Sequence, residues 1–364
     1  MTILITIITL SIIGGILALI LSIAENYIAN YGECTININN NKELTIEGGN
    51  SLLTTLITEE IFIPSACGGR GSCGYCKIKV DEGGGPLLPT EIPYLSNKEQ
   101  NENIRLSCQI KVKNDMKIFI PEELFSIKQY KAIVSKISYL TSDIKELYID
   151  FIEPKEIEFK PGQYIQLLAP KYGTNKEEVY RAYSIASTPS NKDHIELMIG
   201  LVPNGICSTY VHKHLKENDE ITLNGPYGDF YYHQGEDDMI CMAIGSGMAP
   251  IKSIIDYVFE NAINRKIVFF FGARTKDDLF YLEYFREKER QYSNFKFLPT
   301  LSRPKDDDEW NGDIGRVTEI LYSNLDGSKN KEAYICGNPM MVKDSIEKLK
   351  EFGIPEKKIY YDEF

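Results

Sequence analysis

Histidine is scarce in this chain. His194, His212, His214 and His233 are the only four in 364 residues, and no spacing among them would gather a metal, so they are assigned to surface or packing roles. Basic charge is short as well: 40 Lys and Arg stand against 52 Asp and Glu, a formal charge of −12. That balance excludes the clustered cations a phosphate backbone requires, and no nucleic-acid partner is expected. The first basic residue is Lys42, so no flanking Lys or Arg orients the apolar run that precedes it. Internal repeats and low-complexity tracts are absent. The one dense acidic run, Asp306-Asp307-Asp308-Glu309, reads as a solvated loop.

At 43% hydrophobic and 25% charged residues, a chain of this length can bury more than one core, and two or three domains are expected. From Ile3 to Ile23 there is no charge, close to the roughly 20 residues that cross a bilayer. A single membrane helix is the expectation. A cleaved signal peptide is the rival, since Ser22-Ile23-Ala24 could pass for a cleavage site, but the run is long and no Lys or Arg precedes it. Of the eight cysteines, Cys34, Cys207, Cys241 and Cys336 lie scattered in unlike contexts, which fits a reducing compartment better than a disulfide framework.

The other four cysteines form a pattern. Cys67, Cys73 and Cys76 sit in the run Cys-Gly-Gly-Arg-Gly-Ser-Cys-Gly-Tyr-Cys, spaced C-x5-C-x2-C, with Cys108 well downstream. A loop with so little side-chain bulk can wrap thiolates and backbone amides around an inorganic cluster. Four thiolates in this layout suit a [2Fe-2S] cluster, and the plant-type pattern differs only in a first gap of four residues. Zinc is the first rival, yet zinc ribbons supply two C-x2-C pairs and Cys108 has no near partner.

Around that loop the pattern predicts a hairpin from Thr35 to Ile38 and Glu43 to Ile46, turning at Asn39 to Lys42, then a short helix through Leu52, Leu53, Leu56 and Ile57 capped by Asn50 or Ser51. A strand over Lys77 to Val80 and a late run from Ile104 to Ile110 complete a β-grasp-like domain. Short strands separated by turns follow, Ala132 to Ile137, Leu147 to Phe151, Tyr164 to Leu168, Ile195 to Leu201 and Glu220 to Leu223, an antiparallel barrel with a helix from Ser208 to Leu215. After Asp238 apolar strands alternate with amphipathic helices, which predicts a parallel sheet. The fold class expected is therefore a multidomain α+β and α/β chain: transmembrane anchor 1–26, β-grasp 33–126, barrel 130–232, Rossmann-like parallel-sheet domain 236–364.

Two groups of residues suggest nucleotide chemistry. Arg181-Ala182-Tyr183-Ser184 opens a strand and can present an arginine for phosphate, an aromatic ring for an isoalloxazine or ribityl chain, and a hydroxyl for the ring edge, the needs of a flavin. Gly205, Ser208 and Thr209 start the helix inside the barrel, where free N–H groups favour a pyrophosphate. Gly245-Ser246-Gly247-Met248-Ala249-Pro250 lies between a strand and a helix, the context of a dinucleotide loop, although the last position is proline rather than glycine. Cys336-Gly337 stands at the carboxyl end of another strand, where Cys336 is equally a nicotinamide contact or a small buried residue. Phe364 ends the chain as either a ring covering the flavin or simple packing.

In this order, with Arg-Leu-Ser-Cys-Gln, Leu-Leu-Pro-Thr-Glu, Gly-Pro-Tyr-Gly, Phe-Gly-Ala-Arg and a closing Tyr-Asp-Glu-Phe, the chain resembles the F subunits of sodium-translocating NADH:quinone oxidoreductases, a narrower group within the ferredoxin-reductase-like flavoproteins. The resemblance implies hydride transfer from NADH to FAD, then single electrons through the [2Fe-2S] cluster to other subunits of a membrane complex and ultimately quinone. It implies cluster ligands Cys67, Cys73, Cys76 and Cys108; flavin contacts Arg181, Tyr183, Ser184 and Ser208 or Thr209; and a nicotinamide site of Gly245, Gly247, Pro250, Cys336 and Gly337. Phe364 matches the family's terminal aromatic, though relatives often add glycines after it. The soluble domains would then face the cytoplasm from the inner membrane, anchored through residues 3–23. NADH is expected over NADPH, although Ser302-Arg303-Pro304-Lys305 stands beside the acidic run. An oxygenase reductase component and, more distantly, a zinc-containing nucleotide-binding module are the competing readings.

Overall fold

Five strands build the first sheet: β1 (Glu33–Ile38), β2 (Lys42–Glu47), β3 (Lys77–Glu82), β4 (Ile104–Leu106) and β5 (Met116–Phe119), in the order β2-β1-β5-β3-β4. The computed structural model describes residues 7, 9–19, 31–173, 175–306 and 308–363, and the chain divides into two compact units, Met1–Ser126 and Ile127–Phe364. Residues 9–19 are helical, with Leu10, Ile12, Ile13, Ile16, Leu17 and Leu19 exposed. Among the described residues no helix is long and apolar enough to cross a membrane. Both ends of the expected span, 3–6 and 20–23, lie outside the described residues.

Strict alternation in β1 turns Cys34, Ile36 and Ile38 inward, and Asn39 and Asn40 take the left-handed backbone that the hairpin turn requires. Ser51 caps helix α1 (Leu52–Thr58) by accepting from Thr54 N at 3.1 Å, which drives Leu52, Leu53 and Leu56 into the core. Each such side chain contributes about 1.5–3 kcal/mol by leaving water. A second short helix, α2 (Asn97–Asn101), precedes β4.

In the second unit, β6 (Lys128–Tyr139), β7 (Ile144–Glu153), β8 (Tyr164–Ala169), β9 (Val179–Ser184), β10 (His194–Gly200) and β11 (Glu220–Tyr227) form an antiparallel sheet ordered β10-β7-β6-β11-β8-β9. It closes into a barrel where Ile185 bridges Leu197 and Ala186 N donates to Glu196 O at 2.8 Å. Arg181-Ala182-Tyr183-Ser184 ends its strand rather than opening it. Helix α3 (Ile206–Lys213) starts two residues earlier than its apolar pattern suggested.

The third sheet is wholly parallel, β15-β14-β13-β12-β16-β17: β12 (Asp238–Ile244), β13 (Ile267–Ala273), β14 (Phe295–Leu301), β15 (Asp313–Ile314), β16 (Lys331–Gly337) and β17 (Ile359–Glu363). Helices α4 (Met248–Glu260), α5 (Leu282–Gln291) and α6 (Pro339–Glu351) connect it; β13 reads as a continuous apolar run, and β16 is buried along its whole length, because both faces are covered. Barrel and sheet are tied by buried polar contacts. Lys252 of α4 reaches Glu196 of β10 at 3.0 Å and Asp256 at 3.3 Å, and Tyr281 OH donates to Glu146 of β7 at 2.6 Å. Burial alone would lower the Lys252 pKa, but the two carboxylates hold it above its ordinary value.

Candidate functional site

The cysteine loop is irregular backbone held open by glycine. Gly68, Gly69, Gly71 and Gly74 all have positive φ, between 64° and 84°, and a Cβ at Gly71 would collide with the Gln109 side chain. Only glycine takes that conformation without strain. The four thiols stand as two interacting pairs, Cys67 with Cys73 and Cys76 with Cys108. In each pair one thiol hydrogen-bonds its neighbour, pulling the pKa of Cys67 and Cys108 down and pushing that of Cys73 and Cys76 up. Backbone amides converge on the sulfurs as well, those of Ser72 and Arg70 on Cys67, Tyr75 on Cys73 and Gly71 on Cys108. Among the described residues no three ligands gather around a point as a single ion would need. Two pairs lined by N–H donors suit a two-iron cluster with one pair on each iron.

A buried ion pair behind the loop fixes where Cys108 leaves its strand. Glu91 is fully buried and receives Arg105 Nη2 at 2.6 Å and Nε at 3.0 Å, while its other acceptor sites take Leu88 N and Leu106 N. The remaining Arg105 donors reach the carbonyls of Gly84, Gly85 and Pro86. The broken Gly83-Gly84-Gly85-Pro86 segment is thus organised by an arginine on β4, the strand paired with β3. Ser107 then pins the ligand loop by donating to Cys76 O at 3.0 Å. Sequence reasoning gave Glu91 and Arg105 no role; an acid and a base more than a dozen residues apart carry no local signal.

On the barrel, Arg181 and Tyr183 share one face of β9, and Ser184, buried, faces the other. Arg181 Nη1 donates to Tyr180 O at 2.7 Å. Burial beside Cys207 raises the Tyr183 pKa well above its ordinary value. Gly205 caps α3 with no side-chain acceptor, which leaves the first amides of that helix for a ligand. Ser208 spends its hydroxyl locally, accepting from Val202 N at 3.2 Å, whereas Thr209 is half-buried beside the Tyr172 hydroxyl. On β8 the Gln166 amide nitrogen is buried without a partner among the described residues, next to Ala182 in register. That unspent donor within the Arg-Ala-Tyr-Ser strand pair fits a bound flavin.

The parallel sheet provides a cavity of about 590 Å³ at its carboxyl edge, closed on the barrel side by Thr141 and Asp143. Gly245 (φ 53°) opens directly into it with no heavy atom near its missing Cβ. Gly247 packs onto the sheet, where any Cβ would collide with the Cys336 carbonyl. Pro250 is buried in the first turn of α4. Cys336 is fully buried in the core with a raised pKa caused by burial, and Gly337 is buried beside Ile244 and Met341. Glu363, the last described residue, pairs with Gly337; Phe364 lies outside the described residues. The acidic run is not simply solvated: Asp308 is buried and accepts from Lys305 N at 2.8 Å, closing its own loop.

Residues 36–113 match the family described as a 2Fe-2S iron-sulfur cluster binding domain, 131–232 the oxidoreductase FAD-binding domain and 239–347 the oxidoreductase NAD-binding domain. The F subunit of the Na(+)-translocating NADH-quinone reductase of Neisseria meningitidis is 36% identical over the full length of both chains. The chain belongs to the family of Na(+)-translocating NADH-quinone reductase F subunits. A further member, from Histophilus somni, is also 36% identical, over 96% of each chain. Among solved structures, an Amycolatopsis cytochrome P450 reductase aligns with a TM-score of 0.72 at 23% identity, covering 91% of this chain and 98% of its own. The ferredoxin reductase of carbazole 1,9a-dioxygenase aligns with a TM-score of 0.69 at 24% identity, over 92% and 98%. Those two likenesses are of fold. Kinship with the F subunits accounts for the order of the three modules, and [2Fe-2S], FAD and NADH are the cofactors of the three domains.

Proposed function

We infer that this chain is the NADH dehydrogenase subunit of a sodium-translocating NADH:quinone oxidoreductase, taking hydride from NADH onto FAD and passing single electrons through its [2Fe-2S] cluster toward quinone. The observation that carries this reading is the succession of all three cofactor domains in one chain whose full length matches those F subunits. Bound FAD supplies the conversion of a two-electron donor into one-electron steps, which neither nicotinamide nor an iron-sulfur centre performs alone.

The protein's own residues then have definite tasks. Cys67 with Cys73, and Cys76 with Cys108, hold one iron each, and the loop amides stabilise the sulfurs. Arg181 binds flavin phosphate, Tyr183 packs along the flavin, and Ser184 hydrogen-bonds the ring edge near the hydride-accepting atom. Gly205 and the first turn of α3, which carries Ser208 and Thr209, receive the pyrophosphate. Gly245, Gly247 and Pro250 shape the turn that admits the nicotinamide half, Cys336 and Gly337 support that turn from beneath, and Phe364 covers the flavin until the dinucleotide arrives. The domain limits we assign are 33–126, 130–232 and 236–364, after an anchor over 1–26.

A membrane anchor through residues 3–23 is supported by the uncharged sequence and by the exposed apolar side chains of the helix at 9–19. The soluble domains then face the cytoplasm, where NADH and reduced thiols reside, and the remaining partners are the other subunits of the complex. The deciding experiment isolates the membrane complex through a tag on this chain. Co-isolation of membrane subunits, with NADH bleaching absorbance above roughly 400 nm, is expected, since flavin and cluster absorb there. A colourless chain, or one that stays in the supernatant with residues 1–25 intact, overturns the reading; the second outcome favours an oxygenase reductase.

A further inference from the structure

The dinucleotide crevice is charged unevenly. Three of the residues lining it are arginines, Arg274, Arg303 and Arg316, and each follows the carboxyl end of a neighbouring strand, β13, β14 and β15 respectively. Gly245 and the β16 end lie on the opposite flank, across β12. Strands about 4.8 Å apart put β14 about 14 Å from β16, a span suited to an extended dinucleotide. With the nicotinamide at Gly245, the adenosine end falls among the arginines.

Resting on the dinucleotide reading of this crevice, we propose that it accepts NADPH as well as NADH, with the 2′-phosphate of the adenosine ribose held by Arg303 between Arg274 and Arg316. Among the described residues none of the three guanidiniums makes an ion pair, so their charge is available to a ligand. A site restricted to NADH places a free carboxylate where it can accept from the ribose 2′-hydroxyl and repel a phosphate. The one acid from this flank that lines the cavity, Asp278, and two that stand near it already have hydrogen-bond partners. Asp278 accepts from Thr275 N and Oγ1 at 2.9 Å, Glu319 from Arg316 N at 2.7 Å, and Asp277 pairs with Lys305 at 2.6 Å. Buried Asp308 closes its own loop and does not line the cavity. The acids that remain at the cavity are Asp143, from the barrel, and Asp344, on α6, the helix that leaves the β16 end. A fork of guanidinium donors against a phosphate dianion is the strong form of charge-assisted hydrogen bond.

The chemistry is unchanged by the extra phosphate. The C4–H bond of the dihydronicotinamide breaks, its hydrogen and electron pair pass to FAD, and NADP+ departs with the 2′-phosphate untouched.

The test titrates the full reconstituted chain by calorimetry with adenosine 2′,5′-bisphosphate, adenosine 5′-diphosphate and AMP, and measures kcat/KM for both dinucleotides. The expected result is that the 2′,5′-bisphosphate binds at least about tenfold tighter than AMP, as one charged hydrogen bond supplies. In Arg303→Glu that advantage disappears and the NADPH-to-NADH ratio of kcat/KM falls by at least about tenfold; Arg303→Gln should fall between. Equal binding of the 2′,5′-bisphosphate and AMP overturns the proposal. So does an Arg303 dependence confined to the 5′-diphosphate, which would make these residues a pyrophosphate clamp. If NADH fails to bleach the flavin while the 2′,5′-bisphosphate still binds through Arg303, the electron-transfer reading falls and this subsite stands.

Discussion

The two ends of the electron path are built on opposite plans. The thiol site is one contiguous loop plus a single late residue, with irregular backbone, four left-handed glycines and amides aimed at sulfur. The dinucleotide crevice is lined by short turns and helix starts that leave the carboxyl ends of strands far apart in sequence, gathered only by the sheet order. A loop site is specified by local spacing, so one residue can destroy it. A strand-end site is specified by topology, so one residue tunes it.

The sharpest way to break this comparison is Cys73→Ala. The cluster's absorbance and paramagnetic signal should vanish completely while NADH still bleaches the flavin; loss of flavin reduction too would show that the sites are not separable. Next in size, Glu91→Leu strands a buried guanidinium behind the loop and should cost about 3–5 kcal/mol, read as an earlier loss of cluster absorbance in urea. Retained stability would mean that Arg105 is satisfied by the three carbonyls alone. At the crevice the expected effect is gentler. Gly245→Val puts a β-branched residue at φ 53° and fills open space, so the KM for NADH should rise about tenfold while flavin content holds. An unchanged KM would remove Gly245 from the ligand's path.

The smallest effect is electrostatic, at a surface pair made by Lys77, the residue after Cys76. Lys77 and the Ser96 cap hold the Glu99 carboxyl at about 2. A depressed carboxyl stabilises fully above its ordinary value near 4.5, and that contribution is lost as pH falls toward 2. Because the pair is part-exposed, Glu99→Gln should cost only about 0.5 kcal/mol at neutral pH and nothing near pH 2, measured by thermal unfolding across that window.

The same contrast explains what could be read from the chain alone. Cys67, Cys73 and Cys76 announce themselves by spacing, the β1–β2 hairpin by alternation and its asparagines, and the parallel sheet by apolar runs between helices. Ser51 rather than Asn50 became the cap because its backbone is the one that is extended beside the helix start. Asp308 looked like part of a solvated run, and nothing local distinguishes it from its neighbours; it is buried because two backbone amides need an acceptor there. Arg274 and Arg316 could not be associated with Arg303 at all, since three strands must first line up side by side. Arg181-Ala182-Tyr183-Ser184 was legible as a unit, but its place at the end of β9 depended on pairing with β8.

The final strand is woven into the sheet rather than left loose: β17 pairs with β16 as far as Glu363, and Tyr360 stacks on His233 at 4.0 Å. Because β17 runs parallel to β16, Glu363 and Gly337 share the carboxyl edge of the sheet, the same edge on which the crevice opens. Bulk introduced at Glu363 would therefore be felt first as slower entry of the reducing nucleotide, with the sheet itself left standing.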